Sequence, residues 1–273
     1  MRKSQYKGVI FFDIDGTLYR WQIFLDWVYA MLNTGILNDK YRHVLDNYRK
    51  LWENRQDTFD NYLSYAIQLL ESNLKGLNQS AVEAVLGQVV EKYHNRVYRF
   101  TRELLQRKQA AGWYICFISA SPEYAVKLFA DKWGANRAYG TTMEVKDGFY
   151  SGVRDVVFNS RKADFVTRVL AEINSEDKIP KCNIWAVGDT ESDRAMLGAS
   201  CIGLSICFNP NAVLYQMAIK NSWEIVYERK DVITQSSPNP VPGSDNRVHV
   251  AYTFDNGNIQ ILDRAEIAPL ILI

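Results

Sequence analysis

The first ordered pattern in the chain is a short, unbroken apolar run, Gly8-Val9-Ile10-Phe11-Phe12, of the kind that fills a strand buried on both faces; it stops at Asp13-Ile14-Asp15-Gly16-Thr17. From about Tyr19 to Phe100 the spacing changes to a helical period. Tyr41, Val44, Leu45, Tyr48, Leu51 and Trp52 make one apolar stripe, Phe59, Tyr62, Leu63, Ala66, Leu69 and Leu70 a second, and Val82, Val85, Leu86, Val89, Val90 and Tyr93 a third. Lys75-Gly76-Leu77-Asn78 breaks the last two apart, and Asn78 or Ser80 is the expected cap of the third. Beyond Phe100, helical patterns alternate with apolar runs. A helix is expected over 101–111, a strand over 113–118, a helix from near Pro122 to just before Gly134, and a pair of short strands in 141–150 turning at Asp147-Gly148. A helix from about Ser160 follows, then apolar runs at 184–187, 201–208 and 223–226 with helical patterns between them.

This order predicts an α/β chain with a doubly wound, mainly parallel, Rossmann-like sheet as its core and an all-helical insert directly after the first strand. The expected limits are 1–19 and 100–233 for the core and 20–99 for the insert. Residues 235–244 hold three of the seven prolines with Ser, Asn and Gly and read as a linker. Val248, Val250, Tyr252 and Phe254 then alternate with other residues, and Asp255-Asn256-Gly257 precedes Ile259 and Ile261, so 234–273 is expected to be a linker followed by a C-terminal hairpin.

Composition narrows the function classes. Of 273 residues, 47% are hydrophobic and 23% charged, with 32 Lys+Arg against 31 Asp+Glu, a globular balance that excludes disorder and collagen-like structure. A net charge of +1 supplies no broad field for a polyanion, so neither nucleic acid nor an anionic membrane is an expected partner. No window approaches the roughly 18 apolar residues of a spanning helix, and the basic N-terminus meets only a four-residue apolar run before Asp13, which reads as a cytoplasmic protein without a signal peptide. Cys116, Cys182, Cys201 and Cys207 lack metal-ligand spacing; three of them sit in apolar runs and read as reduced core thiols. Three histidines and the absence of His-Glu-x-x-His or Gly-x-Ser-x-Gly strings push zinc and serine hydrolases far down the order.

The chemistry-bearing residues sit at predicted strand ends, where open α/β sheets place their ligands. Asp13 and Asp15 follow the first strand and, by alternation, point to one face. Alone they also suit a strand-ending turn, although Gly16, Thr17 and Leu18 do not complete a calcium loop. Gly188-Asp189-Thr190-Glu191-Ser192-Asp193 supplies further carboxylates after another buried run. Hard oxygen ligands from two strand ends suit one Mg²⁺, which keeps several waters and takes other ligands from substrate phosphate. Ser119 and Lys162, between the two acidic groups in sequence, carry the hydroxyl and ammonium that phosphate oxygens require, with Arg161 as the competitor for the lysine's place.

Asp13-Ile14-Asp15-Gly16-Thr17, Ile118-Ser119-Ala120-Ser121-Pro122, Lys162 and Gly188-Asp189-Thr190-Glu191-Ser192-Asp193 together resemble the four ordered motifs of the haloacid dehalogenase-like hydrolase superfamily, in its phosphoserine-phosphatase-like branch with a helical cap between motifs one and two. The resemblance covers about Gly8 to Ile233 and leaves out the tail. It implies that Asp13 attacks phosphorus to form an aspartyl-phosphate. Asp15 would protonate the leaving oxygen and then activate water, its backbone carbonyl touching the metal. Mg²⁺ would be held by Asp13, Asp15, Asp189 and Asp193, the last orienting metal waters or the lysine, while Ser119, Ala120 and Lys162 grip the transferring oxygens. The implied function is a Mg²⁺-dependent phosphatase acting on a small phosphorylated metabolite, as a monomer or homodimer. A phosphotransferase using the same intermediate, or a non-catalytic phosphate-ligand module, remains the alternative.

The insert would be the lid that selects the leaving group. Where phosphoserine phosphatases carry a substrate-binding glutamate soon after the first motif, this chain has Leu18-Tyr19-Arg20-Trp21-Gln22-Ile23-Phe24, with Gln22 near that place; Ser119-Ala120-Ser121 likewise replaces Ser-Gly-Gly. A neutral amide cannot pair with an ammonium as a carboxylate does, which weakens phosphoserine as the substrate. Tyr19, Trp21, Phe24, Trp27, Tyr29, Tyr41, Tyr48 and Trp52 read as bundle core, with a cage for a quaternary ammonium as the alternative.

Overall fold

Every residue of β1 (Val9–Phe12) is buried, because the strand has parallel neighbours on both sides, β2 (Tyr114–Pro122) and β5 (Ile184–Gly188). The computed structural model that shows this describes residues 6–173, 178–230 and 232–236, with the backbone alone of 249–250, 254–255 and 258–259. Among these, β3 (Arg137–Lys146), β4 (Phe149–Asp155), β6 (Leu204–Phe208), β7 (Glu224–Arg229), β8 (Val232–Ser236) and β9 (His249–Val250) complete one sheet in the order β4-β3-β2-β1-β5-β6-β7-β8-β9. Strands β1, β2, β3, β5, β6 and β7 are mutually parallel; outside them β4 runs antiparallel to β3, β8 antiparallel to β7, and β9 antiparallel to β8. The chain walks outward from β1 through β2 to β3, then returns to β5 and walks the other way. That reversal makes the carboxyl ends of β1 and β5 a topological switch point, the place where a ligand crevice opens.

Between β1 and β2 lie α1 (Ile23–Asn33), α2 (Arg42–Glu53), α3 (Phe59–Asn73), α4 (Gln79–Tyr93) and α5 (Arg99–Ala110), with a short 3-10 turn at Asp39–Tyr41. Later come α6 (Glu123–Trp133), α7 (Ser160–Ile173), α8 (Arg194–Leu197) and α9 (Ala212–Asn221). Alternation along β1 divides the core. Ile10 and Phe12 join Leu104 and Leu105 of α5, Phe129 of α6 and the insert residues Trp27, Leu45 and Tyr62. Val9 and Phe11 face the other way, onto Val166 and Val169 of α7, Met196 of α8 and Leu214 of α9. Helices therefore cover both faces of the sheet, as a parallel sheet requires. The capping expectation at α4 resolves to Asn78, whose side chain accepts from Ala81 N at 3.0 Å. Gly134 ends α6 in the left-handed region at φ 63°.

Three boundaries differ from the sequence reading. Strand β2 does not stop at Ile118 but runs through Ser119 to Pro122, so the second motif is itself strand. Strand β3 starts at Arg137, where its mixed composition hid the pairing with Cys116 on β2; the turn at Asp147-Gly148, with φ of 52° and 81°, lies where the sequence put it. Residues 234–236 pair with β7 instead of starting a linker. Their β-branched lead, Val232-Ile233-Thr234, outweighs the prolines, which begin only at Pro238. In the expected C-terminal hairpin, β9 joins β8, and β10 (Phe254–Asp255) pairs with β11 (Asn258–Ile259) with Asp255 opposite Asn258. The remainder of 237–273 lies outside the described residues. Cys116 and Cys207 are buried in β2 and β6, whereas Cys201 precedes β6 and is partly exposed.

Phe129 is fully buried with its ring against Tyr19, Phe117 and Trp133, linking β2, α6 and the start of the insert. Phe129→Ala is expected to cost about 3–5 kcal/mol of stability, read as a lowered urea midpoint with an unchanged denaturant slope.

Candidate active site

Lys162 is a large, fully buried cation, and its position is dictated by the two carboxylates it bridges. It stands in the first turn of α7 at 1% exposure. Its Nζ donates to Asp13 Oδ1 at 2.6 Å and to Asp193 Oδ1 at 2.5 Å. A buried ammonium with no partner would give up its proton. Here burial does push it that way, but Asp13 and Asp193 outweigh burial and raise its pKa above the ordinary lysine value. Arg161, the competitor from sequence, turns outward to the exposed Asp155 at 2.5 Å.

Asp193 itself is 0% exposed and has both oxygens engaged: Oδ1 by Lys162, Oδ2 by the backbone N–H groups of Asp189 at 3.0 Å and Thr190 at 3.2 Å. This reciprocal cap fixes the loop after β5 and with it Asp189. Two glycines admit the crowding. A Cβ on Gly188 would lie 2.5 Å from Asp193 Cβ, and one on Gly16, at φ 84°, would lie 2.0 Å from Asp189 Oδ2. Thr17 Oγ1 reaches Asp189 Oδ1 at 3.4 Å from the same turn.

The result is one oxygen from each of Asp13, Asp189 and Asp193 within 4.8 Å of one another. Burial pushes the Asp13 carboxyl up to about 7, Lys162 opposing and Asp193 and Asp15 adding to the rise. Burial likewise lifts Asp189 well above the usual carboxylate range, with Asp13 and Asp193 adding to it. One ammonium therefore stands against an excess of negative charge, and the donors are all hard oxygens with no His or Cys among them. Such a set fits Mg²⁺. Asp13 and Asp189 are the natural protein ligands, because Asp193 is already committed to Lys162 and the loop.

Asp15 behaves differently from the metal-side acids. Its Oδ1 accepts from Ile23 N at 2.6 Å, and its Oδ2 accepts from Ser119 Oγ at 2.9 Å and Ser121 Oγ at 2.7 Å. Its side chain is thus engaged by these three donors and is not one of the carboxylates grouped with Asp13, Asp189 and Asp193; the metal contact that the resemblance implies is through its backbone carbonyl. Burial raises its pKa, the three hydrogen bonds opposing. Ser119 lines the cavity with its hydroxyl donating to Asp15. Ala120 lines the same cavity and accepts Thr141 Oγ1 on its carbonyl at 2.6 Å.

Asp13, Asp15, Ser119, Ala120, Ser121, Lys162 and Asp189 line a cavity of about 370 Å³. Its outer wall was not legible in the motifs. It comes from one face of α3, with Phe59, Leu63 and Ile67, and from Val156 and Phe158 before α7. Glu71 and Arg154, which form an ion pair, join them. The i, i+4, i+8 spacing of the α3 residues was visible, but nothing marked that face as the one turned to the site. Gln22 and Phe24 line the cavity as the run after the first motif suggested. Of the other aromatics considered for a cage, Trp21 and Trp52 pack with Phe59, Tyr48 stacks on Tyr65 at 4.8 Å, and Tyr19 and Trp27 are buried; among the described residues they are bundle core.

Residues 10–198 match the family model of the haloacid dehalogenase-like hydrolases. The chain belongs to that family. Within the family, it is 26% identical over 220 residues to a phosphoserine phosphatase of Archaeoglobus fulgidus, a match covering 79% of this chain and 56% of that protein. It is 32% identical over 133 residues to the phosphoserine phosphatase SerB1 of Mycobacterium tuberculosis, covering 48% of this chain and 41% of that one. The chain thus spans about half the length of these relatives. Among solved family folds, a phospho-aspartyl intermediate analogue of phosphoserine phosphatase superposes with a TM-score of 0.54 at 22% identity, over 83% of this chain and 95% of the other. A Bordetella pertussis protein of unknown function gives 0.61 at 19% identity, over 80% and 96%. At these identities the superpositions concern the fold alone.

The raised carboxyls carry a pH signature. The native state keeps protons that the unfolded chain releases near 3.8, so metal-free stability should fall as pH rises from 3.8 to about 7. In EDTA at pH 7, Asp189→Asn should melt roughly 2–4 °C above the wild type, the shift that about 1 kcal/mol gives in a chain of this size. Mg²⁺ should then stabilise the wild type and leave the variant unmoved, both read by scanning calorimetry.

Proposed function

We propose that this protein is a Mg²⁺-dependent phosphatase that hydrolyses a small phosphorylated metabolite through an aspartyl-phosphate on Asp13. The supporting observation is the single anchoring of the nucleophile. Lys162 holds Asp13 Oδ1, while among the described residues Oδ2 accepts no hydrogen bond in a cavity that also exposes Asp189. A carboxylate fixed by one oxygen presents the other in a defined direction, which is what in-line attack at phosphorus needs.

When bound by Asp13, Asp189 and the Asp15 carbonyl, Mg²⁺ supplies the positive charge that lets an anionic nucleophile meet an anionic phosphate. Asp13 Oδ2 forms the new bond to phosphorus as the bond to the leaving oxygen breaks. Asp15 gives that oxygen its proton, leaving a free alcohol; burial favours the protonated form it needs. Asp15 then takes a proton from water, whose oxygen attacks phosphorus and restores the Asp13 carboxylate with release of inorganic phosphate. Lys162 balances charge on Asp13 and faces the transferring group, Asp193 holds Lys162 and the 189–190 loop, and Ser119 and Ala120 form part of the cavity wall.

The cavity is at the small end of the range of ligand sites, about 300–1,000 Å³, which suits a metabolite in place of a macromolecule. A net charge of +1 offers no general attraction for nucleic acid. No helix among the described residues is long and apolar enough to cross a membrane, and we place the enzyme in the cytoplasm, where its four unpaired cysteines stay reduced.

The deciding experiment is phosphate release from a panel of phosphorylated amino acids, sugars, nucleotides and choline in Mg²⁺. Turnover is expected on at least one member, silenced by EDTA. Asp13→Asn should reduce it by on the order of 10⁴-fold or more in protein that circular dichroism shows to be folded. Acid-quenched wild-type protein should retain radioactive phosphate and the variant none. Full activity in Asp13→Asn would remove the proposed nucleophile.

A further inference from the structure

The second motif places two hydroxyls on the acid. Strand β2 continues to Pro122 through a break in its pairing with β3 between Ile118 and Pro122, and there Ser119 and Ser121 both turn to Asp15. The two serines are 0% and 3% exposed. Both donate to the same oxygen, Asp15 Oδ2, at 2.9 Å and 2.7 Å, and Ser119 Oγ accepts Ser121 N at 3.0 Å, which fixes its rotamer. Oδ1 accepts only the backbone N–H of Ile23, at 2.6 Å. A carboxyl oxygen has two acceptor positions. Both positions of Oδ2 are taken by serine hydroxyls, so the carboxyl is tethered at three points and its plane is set.

We infer that Ser121 is a positioning residue for Asp15: its hydrogen bond to Oδ2, beside that of Ser119, holds the carboxyl plane in place, setting how well the enzyme releases alcohols that need protonation. The inference deepens the phosphatase reading and rests on it. Where the resembled phosphoserine phosphatases read Ser-Gly-Gly, the third position has no side chain, so the hydroxyl of Ser121 is an addition relative to that motif. With the Ser121 hydroxyl removed, the carboxyl loses one of its three anchors and its plane is less well held. Misplacement on the scale of 1 Å costs up to about 10²-fold in a positioned reaction.

The substrate's leaving group separates this role from a general packing role. p-Nitrophenol departs as a stable anion and needs no proton in the transition state, whereas p-methoxyphenol, a weaker acid, needs one. The value of kcat/KM reports the steps through leaving-group departure, before water enters. With a series of substituted phenyl phosphates and Mg²⁺, Ser121→Ala is expected to lose about tenfold or more in kcat/KM on p-methoxyphenyl phosphate and less than about threefold on p-nitrophenyl phosphate. Ser121→Gly removes the same hydroxyl with different packing and is expected to give the same split; it stands in if the alanine variant does not fold. Equal losses across the series, or no loss, in a folded variant would overturn the role of Ser121 and leave the phosphatase reading intact. A wild type inactive on the whole series and on the metabolite panel would overturn both.

Discussion

Burying a lysine between two aspartates beside a third is the arrangement on which the rest of this molecule depends. Ion pairs removed from water lose hydration that their mutual attraction repays only with close geometry and full hydrogen bonding. Here the geometry is close, at 2.5 and 2.6 Å, and Asp193 spends its second oxygen on two backbone amides. Yet the charge does not balance. Burial lifts Asp13 to about 7 and Asp189 well beyond the usual range. A fold that keeps such a cluster is tuned to a state in which another positive charge is present. Stability and function thus oppose each other at one point in the structure, as they commonly do at sites built for catalysis.

The scaffold explains how that cluster is assembled from distant stretches of chain. Asp13 and Asp189 follow adjacent strands, β1 and β5, on either side of the reversal in strand order, and Lys162 enters from the helix covering one face. The opposite face carries the helical insert, whose core is continuous with that of the sheet through Ile10, Phe12 and Phe129. The insert also provides one cavity wall from α3. The hairpin of β3 and β4 meets it through backbone bonds, Gly76 N to Tyr150 O at 2.8 Å and Gln79 N to Gly148 O at 2.9 Å. Helical wall, hairpin and sheet rim therefore enclose the cavity together, and a change in any one of them reshapes that side of the cavity without touching Asp13.

Much of this was legible in sequence for local reasons. An apolar run ending in Asp-x-Asp, a helical period from Tyr41 onward, Asn78 as a cap and Asp147-Gly148 as a turn each declare themselves within a few residues. What stayed hidden depends on tertiary partners. Arg137 begins a strand because Cys116 lies beside it, and Gln235 is strand because β7 is there to pair with. Ser119 and Ser121 were both in view, but that they share Asp15 follows only from β2 extending past Ile118. The aromatic-rich insert offered a cage and a core from one composition; packing put most of these rings in the core, with Trp21 against Trp52 and Trp52 against Tyr62, while Phe24 lines the cavity.

The claim that the carboxylate cluster is completed by a divalent cation is tested most directly by diffraction from crystals soaked in Mn²⁺, whose anomalous signal reports position independently of activity. A single strong peak within coordinating distance of both Asp13 and Asp189, lost in Asp189→Asn, is the predicted result. A saturating soak that leaves this cluster without a peak, or places the ion elsewhere in the cavity, would contradict the account.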